Sequence, residues 1–303
     1  MKKLSIPVLS IIAGAVALVS VALRIVCTFF FYDEIGYYKT GAMLPAIANV
    51  IFALSLVLFF LAAIFSVDKR LEVKDLSRTS QYVALLPMGA LIFHALRLFT
   101  TPVNESTISK YALLVFIILA AIFFFLLSFF NRPNVIGFYF GIGAIVYVFL
   151  SWMVAYFDFW SPINSIDKTF FYLACGGAVL FIFAEMCACY GSVRSRFYYF
   201  SLFASIVTLS TASVASIVLA SFGRFRSYIT FETDVFFVTL LIYAVTRMVT
   251  ALKATVVDEF VVEETNDESA EETAEETAEE TVEESTEETA EESTEETESD
   301  EEK

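Results

Sequence analysis

Apolar residues along this chain arrive in long unbroken runs rather than in alternation, and the runs end at charges or turn residues. Crossing the hydrocarbon core of a bilayer takes about 20 apolar residues of helix. Eight stretches of that order occur, at 5–31, 42–66, 82–98, 111–130, 135–157, 169–190, 198–222 and 235–252. A closed barrel is the other fold that satisfies every backbone amide in lipid, but it uses weaker, alternating segments of about ten residues. The unbroken run from Ile117 to Phe130 is incompatible with that. The pattern predicts an all-α integral membrane protein, a polytopic bundle of about eight transmembrane helices within residues 1–253.

Beyond the last run the pattern reverses. From Glu271 to Thr297 the chain repeats Glu-Glu followed by Thr or Ser and one further residue. A period of four stacks carboxylates at i and i+4, where like charges repel along a helix. With almost no apolar surface to bury, residues 258–303 are expected to form a disordered acidic tail.

Composition sharpens this division. Hydrophobic residues make up 58% of the chain and mean hydropathy is +0.71, an excess that a soluble domain does not carry. The net charge of −16 averages two unlike parts: 24 of the 35 acidic residues and one of the 19 basic residues lie in 258–303. The tail is therefore −23 and the body +7. The four cysteines Cys27, Cys175, Cys187 and Cys189 fall in apolar runs and read as small hydrophobes.

Lysines and arginines favour the cytoplasmic side of a membrane. With the N-terminus inside, Lys2, Lys3, Lys69, Arg70, Lys74, Arg78, Arg132, Arg194, Arg196 and Lys253 face inward, against Lys39, Lys110, Lys168, Arg224 and Arg226 outward. Ten against five predicts that both the N-terminus and the tail are cytoplasmic, and the protein is expected in the plasma membrane. The first run also has features of a cleaved signal peptide, with a basic start and the small residues Ser20-Val21-Ala22. Apolar sequence continuing past Arg24 to Phe31 favours a retained helix.

Charges inside spans are costly and tend to face the bundle interior or a watery cavity. On the outer side Arg24 lies in the first span, and His94 and Arg97 share one face of the third. With Asp158 and Asn164 in the loop after the fifth span, they form a candidate ligand-binding cluster for an anionic or zwitterionic solute. The competing reading is that the arginines snorkel to the headgroups. On the inner side Glu185 and Arg247 lie at matching depths, about five residues before the ends of spans six and eight, and are expected to form an ion pair with a coupling or a structural role. Gly137 with Gly141, and Ala212 with Ser216 and Ala220, supply small residues for close helix approach.

No catalytic signature is present. One histidine excludes a paired-histidine metal site, Cys187 and Cys189 point about 200° apart on a helix, and nucleotide-binding glycine motifs are missing. The sequence predicts no catalytic residue, metal, cofactor or nucleic-acid partner. The two leading function classes are a small-solute transporter or ligand-binding membrane bundle, and a membrane anchor, sensor or assembly protein whose acidic tail meets a basic cytoplasmic partner or cations; against a third, an intramembrane enzyme, stands the absence of paired catalytic groups.

Overall fold

The computed structural model describes residues 6–32, 37–39, 41–65, 70–72, 81–100, 107–129, 135–157, 165–222 and 231–251. The acidic tail expected at 258–303, together with Asp158 and Asn164, lies outside the described residues.

The described chain is a helical bundle. Its helices are α1 (Ile6–Phe31), α2 (Met43–Phe65), α3 (Leu85–Thr100), α4 (Thr107–Phe129), α5 (Val135–Phe157) and α6 (Ile166–Tyr190), then α7 (Ser195–Ser221) and α8 (Phe231–Ala251). Seven of the eight contain a stretch long and apolar enough to cross a membrane. The eighth, α3, is a 16-residue apolar helix, about 24 Å long at 1.5 Å per residue. Its late start has a local cause. Pro87 has no amide hydrogen to donate one turn back, so the regular helix starts only at Leu85. Residues 81–84 form an irregular turn joined to it by Leu86 N–H to Val83 O at 3.0 Å and Met88 N–H to Ala84 O at 3.4 Å.

The sequence runs anticipate every helix but misplace five starts by three or four residues, those of α3, α4, α6, α7 and α8. Helix α6 begins at Ile166 rather than at 169 because Ser165 caps it, accepting from the Lys168 amide at 3.4 Å, with Asp167 favourably placed in the first turn. Helix α8 begins at Phe231 rather than 235, which draws Glu232 and Asp234 into its first turn.

Sequence neighbours pack in space, α3 on α4, α4 on α5, α5 on α6 and α6 on α7. Helix α7 is central: 83% of its apolar window is buried, against 22% for α2. It carries a π segment at Ser210–Val214. There the Val207 carbonyl accepts hydroxyls from both Ser210, at 3.1 Å, and Thr211, at 2.7 Å. Such competition for helical carbonyls loosens the regular ladder. On the other side of the bundle, α8 is held by aromatic pairs, Phe124–Phe236, Tyr147–Phe236 and Phe181–Tyr243. Two short strands, β1 (Arg70–Glu72) and β2 (Ser192–Arg194), pair antiparallel between the α2–α3 and α6–α7 connections.

Glycine packing differs from the spacing-based expectation. A Cβ on Gly141 would collide with Met186 and one on Gly143 with Leu119, whereas Gly137 has open space around it. The close approach of α5 thus uses Gly141 and Gly143, not Gly137 with Gly141. Gly177 provides the same service for α6 against Thr208 and Ser205 of α7. Ala212 and Ser216 are buried in α7 while Ala220 is exposed, so the small-residue row packs only in part.

Candidate functional site

The side chain of Arg24, about two turns short of the end of α1, is 3% exposed overall. Its Nη2 bonds Asp167 Oδ1 on α6 at 3.2 Å, and its guanidinium carbon stands 4.2 Å above the Phe170 ring. Nε and Nη1 are buried and have no hydrogen-bond partner. A buried unsatisfied donor costs about 1–3 kcal/mol, and more on a charged group, so an arginine in this state calls for acceptors that the described residues do not supply.

Tyr32 and Tyr38, which follow α1, stand beside this group. Tyr32 donates to Asp167 Oδ1 at 2.9 Å and pairs with Tyr38 in an antiparallel bridge, the rings 5.3 Å apart. Burial pushes the Tyr38 hydroxyl up to about 12, with Arg24 opposing that rise. Burial and the neighbouring Asp167 carboxylate push Tyr32 higher still. Both phenols are therefore neutral donors at physiological pH.

Across the bundle, the first turn of α8 presents Glu232, Thr233 and Asp234, all buried. Glu232 Oε1 meets Arg97 Nε of α3 at 2.8 Å. Thr233 engages the hydroxyl of Tyr147 on α5, which lies 3.0 Å from His94 Nδ1 on α3. Asp234 interacts electrostatically with Arg24, Asp167 and Glu232, and its carboxylate forms no hydrogen bond among the described residues. These residues make a polar layer at one end of the bundle, drawn from α1, α3, α5, α6 and α8.

The opposite end holds a second polar cluster of a different kind. Glu185 of α6 accepts from Tyr198 at 2.6 Å on Oε1, and from Tyr243 at 2.9 Å and Arg247 Nη2 at 2.7 Å on Oε2. Arg247 Nε also donates to the Tyr243 hydroxyl at 2.8 Å. All four side chains are buried, and both carboxylate oxygens are satisfied. That is the arrangement an ion pair needs to survive desolvation.

Of the residues singled out in the sequence, the structure brings Glu185 to Arg247 and gathers Arg24, His94 and Arg97 into one polar layer, each with a separate partner. Arg97, whose side chain is 55% exposed, sits at the rim, and no contact joins it to Arg24. The sequence reading missed Asp167, Glu232 and Asp234, because charges were taken as span boundaries and these three stand at the starts of helices. It also missed Tyr32 and Tyr147, which carry no signal distinguishing them from interfacial aromatics. Among the described residues no group of three or more His, Cys, Asp or Glu side chains is placed to hold a metal ion. Compared with family models, curated proteins and solved structures, the chain matches none.

Proposed function

We propose that this is a multi-pass plasma-membrane protein of eight crossings, with its N-terminus and acidic tail cytoplasmic, that binds a small polar solute at the layer around Arg24 as a transporter or receptor bundle does. The eighth crossing is supported by parity. The β1–β2 pair joins the connection after α2 to the connection after α6, and two connections can pair only on one side of a membrane. An even number of helices must then cross between them, which includes α3 with α4, α5 and α6. The residue-level contacts agree, since α1 and α3 end where α6 and α8 begin.

The observation that carries the solute reading is Arg24, buried with Nε and Nη1 lacking acceptors beside Tyr32 and Tyr38. A snorkelling arginine would keep its guanidinium in the headgroup region. An arginine serving only as a structural pair would have its remaining donors satisfied by protein, as those of a well-formed buried ion pair are. The inner cluster, by contrast, is complete and acts as a clamp between α6 and α8.

A thermal-shift screen of the detergent-solubilised protein against small anions, amino acids, nucleosides and sugars tests this. A ligand at 100 times its dissociation constant contributes about 2.7 kcal/mol, a readily measured shift. The expected result is a shift with at least one solute class that is lost in Arg24→Lys. A folded protein that responds to nothing would refute solute binding and turn attention to partners of the tail.

A further inference from the structure

Ser20 Oγ of α1 and Ser213 Oγ of the π segment are, like Nε and Nη1 of Arg24, buried without a hydrogen-bond partner. Ser20 is one turn below Arg24 on the same face of α1. Helix α1 packs along the whole of α7, including the π segment, and the rings of Phe29 and Phe222 meet at 5.6 Å at their C-terminal ends. The two helices therefore run parallel. Ser20 and Ser213 each stand nine residues before those phenylalanines, at one depth. π segments in α-helices occur frequently at functional sites, where the extra residue redirects side chains. Beside Tyr32 and Tyr38, unpaired donors of Arg24 thus lie above unpaired hydroxyls, with Asp234 to the side.

Charge selects among ligands. Arg24 is already matched by Asp167, and Glu232 by Arg97, while Asp234 is a buried acid that no cation contacts directly among the described residues. A simple anion would meet Arg24 but would add negative charge beside Asp167, with its cost rising in a low-dielectric site. A simple cation would meet Asp234 and leave the Arg24 donors unsatisfied. A molecule carrying both charges meets both needs without changing the net charge of the site.

Resting on the solute-binding reading above, we infer that the ligand is a small zwitterion of the amino-acid class, its carboxylate on Arg24 Nε and Nη1 and its ammonium toward Asp234, with Ser20 and Ser213 forming the hydroxyl-lined floor.

The test uses the full-length protein in detergent and the twenty common amino acids as probes, followed by the 2-hydroxy acid and the decarboxylated amine of the best binder. The expected result is saturable binding of at least one amino acid, with each analogue weaker by tenfold or more. Asp234→Asn should bind amino acid and hydroxy acid equally, and Ser213→Ala should weaken binding several-fold without changing that preference. A hydroxy acid as tight as its amino acid would overturn the inference in favour of an anion site, and an amine as tight would overturn it in favour of a cation site. The analogue series needs only the native protein, so poor folding of a variant does not remove the test. Binding confined to a solute of another class would sink the zwitterion while leaving the solute-binding reading intact. A folded protein that binds nothing would sink both.

Discussion

Glu185 and Arg247, 62 residues apart in sequence, meet at 2.7 Å in the buried inner end of the bundle. Removing one member of such a pair leaves an uncompensated buried charge and costs about 3–5 kcal/mol. Glu185→Gln and Arg247→Met should each lower the melting temperature strongly in detergent. The double variant Glu185→Met with Arg247→Met should lose much less than the sum. Additive losses would mean that the two side chains do not share their energy.

The tyrosines around Glu185 are unequal. Tyr198 makes one hydrogen bond to the carboxylate, whereas Tyr243 donates to Glu185 and accepts from Arg247 Nε. Hydrogen bonds to charged groups contribute about 1.5–3 kcal/mol, so Tyr243→Phe should destabilise the protein more than Tyr198→Phe. Thermal melts of the two variants decide it, and the reverse order would contradict this network.

Helix packing gives a paired test on glycines. Gly177→Ala drives a Cβ into Thr208 and against the Ser205 backbone of α7, whereas Gly137 has open space around it. Overpacking costs about 1–3 kcal/mol, while replacing a helical glycine by alanine where the Cβ has room gains up to about 1 kcal/mol. Gly177→Ala should therefore lower the melting temperature and Gly137→Ala should leave it level or raise it. Equal effects would exclude the close α6–α7 contact.

Topology can be read by labelling. On a background without the four native cysteines, Arg70→Cys and Arg194→Cys should react with an impermeant maleimide from one side of the membrane and Lys39→Cys from the other. The Arg70 and Arg194 positions face each other across the strand pair, so the doubly substituted protein should cross-link. Reaction of those two positions from opposite sides would remove α3 from the crossing helices.

How far the sequence carried these features depended on what each required. Long apolar runs report helices directly, because lipid admits little else, and seven of the eight stretches reappear at full spanning length. The third is already the shortest run, at 82–98, and its start is shifted to Leu85 by Pro87, whose missing amide a hydropathy reading does not register. Glu185 and Arg247 were recognisable because equal depth from the inner ends of two helices is countable. The partners of Arg24 and Arg97 were not, since ending a span at the first charge discards Asp167, Glu232 and Asp234. Which glycines of α5 are approached closely, Gly141 and Gly143 rather than Gly137, depends on which faces of α5 turn toward α6 and α4, which residue spacing does not set. The π segment coincides with two hydroxyls on the Val207 carbonyl, and its unpartnered Ser213 looks in sequence like any other serine of that run.

The most direct measurement is a high-resolution cryo-electron microscopy map of the full-length protein in nanodiscs, prepared with an amino acid that shifts its melting temperature. The expected result is non-protein density within hydrogen-bonding distance of Arg24 Nε and Nη1, beside Tyr32, Tyr38 and Asp234. A guanidinium fully satisfied by protein groups or by a lipid phosphate, with no density between Arg24 and Asp234, would contradict a solute site there.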